Sequence, residues 1–279
     1  MGYVFIADFF ADQVPGGGEL NNEELISILR EDHDVKKVNS HLVSKQYLES
    51  NLAAKYIISN FINLSEECKK YLIENCKYII YEHDHKYLID RNPALYKDFL
   101  APKERIVNFE FYQNALAVFC QSSFHQEIVY KNLKLDNIKS LGGNLWSLAS
   151  LENIRNFTKK EKLDKYSIMD SAIPHKNTYE TRRYCELKKI KYELIPSLKY
   201  LDFLNRISNN NTLVFFPKTP ETLSRIVVEA RMMGMRVVTN KLVGATKEEW
   251  FKLKGEDLIS AMGNKRDEIV NNVIRAFEK

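Results

Sequence analysis

The stretch that decides the reading runs from Thr212 to Asn240, TLVFFPKTPETLSRIVVEARMMGMRVVTN. Thr212–Phe216 (TLVFF) is a short run of β-branched, aliphatic and aromatic residues, as expected of a strand buried on both faces. Pro217–Pro220 ends it in a tight turn. Helical spacing predicts a helix over Glu221–Met233, stopped by Gly234 and followed by a second buried strand, Arg236–Thr239. This order makes a β/α unit of a parallel sheet, whose ligands gather where strands end and helices begin. On the expected helix, the first-turn amides of Thr222 and Leu223 are placed to meet an anionic phosphate oxygen. Glu221 and Glu229 lie eight residues apart, about 80° off a common face at 3.6 residues per turn, so both can border one cleft. A carboxylate accepts hydrogen bonds without donating and suits the hydroxyl pairs of a sugar or ribose. A dipole-favoured Glu221 and a solvated Glu229 satisfy the same spacing.

The pattern extends outward in both directions. Tyr3–Phe10 reads as a buried strand, Pro15–Glu19 as a glycine-rich loop and Leu20–Arg30 as a helix. Strands are expected in Asp34–Val43, Lys55–Ile62, Lys77–Tyr81 and Leu116–Cys120, with helices at Ser65–Asn75 and Ser122–Asn132. The polar cluster Glu82-His83-Asp84-His85 follows the Lys77–Tyr81 strand directly. Leu148–Asp164 reads as a polar surface linker, dividing the chain into domains 1–145 and 146–279. Beyond it alternate a strand at Tyr166–Met169, a helix at His175–Leu187, a strand at Tyr192–Ile195 and a helix at Lys199–Ile207, with a polar tail helix, Glu256–Phe277, at the end. The fold class is α/β with parallel sheets.

Composition narrows the function classes. The 279 residues carry 41 Lys+Arg against 37 Asp+Glu, so the net charge of +4 is small. It is also dispersed, which argues against a nucleic-acid module and suits a small anionic ligand. Cys68, Cys76, Cys120 and Cys185 form no C-x-x-C pair and read as free buried thiols. No stretch approaches the ~18 apolar residues of a membrane span, and the start of the chain lacks a signal-peptide pattern, so a cytoplasmic protein is expected.

Glu221-x7-Glu229, with Pro217 before it and the run Ala230–Val238 after it, resembles the motif of retaining GT-B glycosyltransferases of the family 4 type. The resemblance implies two Rossmann-like domains whose parallel sheets face a central cleft. It also implies transfer of a sugar from a nucleoside diphosphate sugar to a hydroxyl acceptor. In that family the second glutamate binds the donor ribose, here Glu229, and the first contacts the donor sugar, here Glu221. Amides just after it hold the diphosphate, here Thr222 and Leu223, with Thr219 in the preceding turn. Gly16-Gly17-Gly18-Glu19 resembles the family's glycine-rich loop, so Gly17 and Gly18 are expected beside the donor phosphates and acceptor. His83 and Asp84 occupy the place of acceptor-side catalytic groups. Lys176 matches the family's diphosphate lysine. The arginine usual about five residues earlier is absent, and Ser171 stands there. Arg225, Arg182 or Arg183 could supply that charge, and for Arg225 a salt bridge to Glu221 or Glu229 is the competing role.

The resemblance implies a UDP- or GDP-sugar substrate, a glycan or other hydroxyl acceptor, and neither metal nor further cofactor. A nucleotide-sugar-binding protein without transferase activity stays open because of Ser171, as does a sugar-nucleotide epimerase. Trp146 and Trp250 could stack on a sugar, although burial in the core is the expectation for each.

Overall fold

The structure, a computed structural model, describes residues 2–14 and 16–278. Pro15, in the expected glycine-rich loop, lies outside them. The chain divides into two compact units: residues up to Leu145 together with those from Arg266 on, and Trp146–Lys265.

Among the described residues of the first unit, six strands form one parallel sheet in the order β2-β1-β3-β4-β5-β6. They are β1 (Tyr3–Ala7), β2 (Val35–Asn39), β3 (Lys55–Ile58), β4 (Lys77–Tyr81), β5 (Val118–Cys120) and β6 (Ile138–Ser140). Alternation along β1 sends Val4 and Ile6 into one apolar cluster with Ile58 and Ile80, and Tyr3 and Phe5 into another with Ile57 and Ile79. Burial on both faces explains the unbroken apolar runs. Helices α1 (Gly17–Asp32), α2 (Lys45–Ser50), α3 (Glu66–Asn75), α4 (Phe109–Gln113) and α5 (Ser123–Leu133) connect the strands. Ser65 and Ser122 cap α3 and α5, their hydroxyls accepting from the amides of Cys68 and His125. The end of the tail helix packs here as well. Ile269, Val273 and Phe277 join Tyr3, Phe5 and Ile57, so the segment expected to belong with 146–279 completes the first unit's core.

The second unit contains α6 (Leu148–Thr158), β7 (Leu163–Met169), α7 (Thr178–Leu187), β8 (Tyr192–Ile195), α8 (Tyr200–Ile207), β9 (Asn210–Phe215), α9 (Arg225–Met232) and β10 (Arg236–Thr239). The tail helix α10 (Glu256–Ala276) starts in it. The sheet order is β10-β9-β7-β8, again parallel. The expected linker is a helix, α6. Its polar residues hid an apolar pair one turn apart, Leu151 and Ile154, which are buried with Leu204 and Met232.

Two helix starts differ from expectation, and both bear on the site. Helix α9 begins at Arg225, not Glu221. The backbone of Glu221 is engaged elsewhere: its amide donates to the Leu242 carbonyl (2.8 Å) and its carbonyl accepts from the Gly244 amide (2.9 Å). Ala245 likewise donates to the Leu223 carbonyl. These partners, some twenty residues distant, hold Glu221–Leu223 extended. At the other end of α9, Gly234 takes φ +77°, where a Cβ would be strained, while the Met235 amide closes onto the Ala230 carbonyl. Helix α1 begins at Gly17, so Gly17 and Gly18 form its first turn and do not belong to the loop.

In each sheet the strand order reverses once. The chain leaves β1 to one side for β2 and returns to the other for β3; it leaves β7 for β8 and returns for β9. The loops after β1 and β3, and those after β7 and β9, therefore flank a topological switch point, where open α/β sheets bind ligands. No helix among the described residues is long and apolar enough to cross a membrane.

Candidate functional site

At the switch point of the second unit, the loop after β7 carries Lys176 and the loop after β9 carries Thr219, Glu221, Thr222 and Leu223. Lys176 Nζ bonds Glu221 Oε1 at 2.8 Å and stands 5.7 Å from the Phe215 ring centre. The two loops are tied further by Asn177, which donates to the Phe216 carbonyl, and by Lys218, whose amide donates to the His175 carbonyl. Ser171 fills the place where the resemblance expects arginine; its amide donates to Thr178 Oγ1 at 3.0 Å. Arg182 and Arg183 pair with Glu186 and Glu180 along α7.

Ser224 makes the junction with α9. It is in the left-handed region at φ 76°, uncommon for a residue other than glycine. It is 8% exposed, and its hydroxyl has no partner among the described residues. The first bonds of the helical ladder run from the Val227 and Val228 amides to the Ser224 carbonyl. A strained residue with an orphaned donor at a helix N-terminus is the kind of place where an anion is held.

Glu229 faces a different set of partners, and it is not solvated. At 3% exposure, its Oε1 accepts from Trp146 Nε1 (2.9 Å) and Tyr200 Oη (2.8 Å), with Arg225 Nε at 3.5 Å. The Arg225 guanidinium lies 4.4 Å from the Trp146 ring centre. Burial, and then the Glu229 charge, push the Tyr200 hydroxyl well above its usual range, so it remains a donor. Trp146 is buried as expected, yet its indole N–H orients the carboxylate. Glu221 and Glu229 do not share a helix face; each is engaged by its own cation. Nothing in the sequence signals Ser224, and nothing signals Tyr200 beyond its place at the start of an amphipathic helix.

In the first unit, His83 lies against α1. Its Nε2 is 2.6 Å from Asn22 Oδ1, which also accepts from Ser59 Oγ. That oxygen is an acceptor, so His83 Nε2 carries the proton. A Cβ built on Gly18 would meet the His83 ring at 3.4–3.6 Å, ordinary contact. Gly18→Ala should therefore fold normally and gain about 0.5–1 kcal/mol, because alanine is the better helix former. Chemical denaturation would show it, and a loss of that size would mean that the loop, not α1, claims the residue. Asp84 is held by Arg91 at 3.2 Å. Its neighbours in the polar cluster are structural. Glu82 is fully buried against Lys86 and Tyr112. His85 is buried against His125, with ring centres 5.1 Å apart. Glu19, in the first turn of α1, accepts from Asn60 Nδ2 at 3.2 Å, and burial raises its pKa. Among the described residues no three His, Cys, Asp or Glu form a metal-holding group.

No protein-family model matches the sequence, and no curated protein does. Solved structures do match. Sucrose-phosphate synthase from Thermosynechococcus elongatus is similar at a TM-score of 0.59 and 8% identity, over 100% of this chain and 98% of that one. HepE from Anabaena, solved with UDP and glucose, gives 0.55 and 12%, over 98% and 93%. A glycosyltransferase from Rickettsia africae gives 0.51 and 13%, over 98% and 94%. The likeness runs through both units of the chain, and with it the two parallel sheets are identified as the GT-B glycosyltransferase fold.

Proposed function

We propose that the protein is a glycosyltransferase that binds a nucleoside diphosphate sugar in its second unit and passes the sugar to a hydroxyl acceptor. The observation that carries this reading is the junction of β9 and α9, where Lys176 pairs with Glu221 in the loop and Ser224 opens α9 at a topological switch point. The diphosphate sits against that N-terminus, with Thr219, Thr222 and Leu223 in the loop leading to it. Lys176 and Arg225 neutralise the charge that grows as the C1–oxygen bond breaks. Glu229 takes the ribose hydroxyls through the oxygen not engaged by Trp146 and Tyr200, and Glu221 takes the donor sugar. His83, Asp84 and the Gly17–Gly18 turn serve the acceptor, whose oxygen bonds to C1 as the diphosphate leaves and passes its proton to the departing diphosphate oxygen. The anomeric configuration is retained and no metal takes part.

Calorimetric titration with UDP, GDP and their sugars tests the reading. Saturable binding of one nucleotide is expected, weakened about 10- to 100-fold in Lys176→Ala, the effect of losing a charge-assisted contact. A folded protein that binds none of them would sink the donor-site assignment. One observation favours a second reading, a nucleotide-sugar-binding protein without transferase activity: Ser171 supplies no charge where the resemblance expects arginine. Nucleotide binding with no release of free diphosphate from any sugar nucleotide would select it.

A further inference from the structure

A cavity of about 430 Å³ opens at the switch point of the first sheet. Residues following three strands line it: Asp8 and Phe9 after β1, Phe61 to Asn63 after β3, and Lys86, Leu88, Ile89 and Arg91 after β4, with Lys69 reaching in from α3. Its charge is one-sided in a way the sequence average conceals. Lys69 and Lys86 have side chains only 9% and 2% exposed, and both stand over the Phe61 ring, at 5.7 and 5.5 Å from its centre. Burying two ammonium groups at one aromatic ring is costly unless anions reach them.

The anions present do not use up the donors. Among the described residues, Lys69 Nζ bonds Glu66 Oε1 and Asn108 Oδ1, and Lys86 Nζ bonds Glu82 Oε1 and Asn60 Oδ1, which leaves each ammonium one N–H. Arg91, half exposed, pairs with Asp84 through one nitrogen and keeps most of its five donors. The one carboxylate of the lining is already engaged: Asp8 accepts from the amides of Ile62 (2.9 Å) and Asn63 (3.0 Å) and from Ser40. The cavity therefore offers spare donors and no spare charged acceptor. Beside them Phe9, Ile62 and Ile89 expose about half their surface and give the mouth an apolar side. Asn60 connects the cavity to the glycine turn, because it also donates to Glu19.

We propose that this cavity binds the phosphate monoester of an acceptor whose adjoining part is apolar or presents an apolar face. Resting on the glycosyl-transfer reading, this makes the acceptor a phosphorylated compound, with Lys69, Lys86 and Arg91 as its phosphate ligands. A monoester carries nearly two charges and several acceptor oxygens, which matches donors arriving from separate segments. The volume suits a ligand of hexose phosphate size. A sugar phosphate and a lipid phosphate share this chemistry.

The test is binding of glucose 6-phosphate and of octyl phosphate to the full chain, with glucose and octanol as neutral controls, in wild type, Arg91→Gln, Lys69→Gln and the donor-site variant Lys176→Ala. Far-ultraviolet circular dichroism confirms that each is folded. Arg91→Gln guards against a fold defect, because that side chain is half exposed. At least one phosphate is expected to bind, with affinity falling about 10-fold or more in Arg91→Gln and Lys69→Gln and unchanged in Lys176→Ala. The phosphate that binds tells the sugar source from the lipid source. Binding of neither phosphate, binding equal to that of the neutral controls, or loss in Lys176→Ala alone would overturn the proposal. Failure of the donor reading is distinct: a protein that binds no nucleotide and still binds a phosphate through Arg91 keeps this anion site and loses the donor site.

Discussion

Glu229→Ala should be the most damaging single change in the second unit, and Glu229→Gln should separate its two roles. Truncation leaves Arg225 buried without its carboxylate and removes the acceptor of Trp146 Nε1 and Tyr200 Oη. Breaking a buried ion pair from one side costs about 3–5 kcal/mol, on the order of 10 °C in Tm for a protein this size. Glutamine keeps the shape and one acceptor oxygen for Trp146 and Tyr200, so it should cost less than alanine, although Arg225 still loses its counter-charge. It replaces the other oxygen by an NH₂ group, which cannot accept from a hydroxyl pair. Nucleotide affinity should then fall about 10- to 100-fold, the range for a lost hydrogen bond to a charged group. Scanning calorimetry and titration of both variants distinguish the roles. Unchanged nucleotide affinity in a folded Glu229→Gln would show that the carboxylate only braces Trp146, Tyr200 and Arg225.

Acid should destabilise the first unit as pH falls through the histidine range, from about pH 7 to pH 5. Burial holds the His125 pKa down at about 3 and that of His85 well below its usual value, with the charge of His125 adding to the effect at His85. His125 is satisfied only when neutral. Its Nδ1 accepts from the Gln121 amide at 3.2 Å, and its Nε2 faces the Asp84 carbonyl at 3.0 Å. A second proton would set Nδ1–H against an N–H. The unfolded chain takes up these protons near pH 6.5 and the folded chain does not, so stability drops as pH falls through that value. For His125 the loss is about 2 kcal/mol by pH 5, and His85 adds to it in the same direction. Glu82 opposes this, because burial raises its pKa and the folded form then holds a proton the unfolded chain has lost. His125→Gln isolates the histidine contribution, since the amide can replace both ring bonds and does not titrate. Urea midpoints at pH 7.5 and pH 5.0 should fall less in the variant than in wild type. Equal falls would remove His125 as a cause.

Much of the fold was legible because the central strands of these sheets are covered on both sides. YVFIA in β1, KYIIY in β4 and NTLVF at the end of β9 are apolar whichever way they face, so their composition alone marks them. Their alternation with helices fixed the parallel architecture. Helix α6 was not legible in the same way, since only Leu151 and Ile154 point inward from an otherwise polar segment. The site residues were partly legible. His83 stood out as one of four ionisable groups directly after a buried strand. Glu221, Glu229 and Lys176 were singled out by the resemblance of their spacing to a known motif.

What the sequence by itself determined was the order of elements and the residue types at the ends of the strands. Both are local, set by hydrophobic period and by turn and cap chemistry. Tertiary structure alone decided the start of α9. Glu221 lies on a helix by local propensity but in an extended bridge by its bonds to Leu242 and Gly244, and those bonds leave Ser224 strained at the junction. The same holds for the partners of Glu229, drawn from residues 83 and 29 positions away, and for the cavity of the first unit, whose cations come from α3 and the segment after β4. Charges scattered along a chain of net charge +4 become a one-sided set of donors only when a parallel sheet brings its carboxyl ends together.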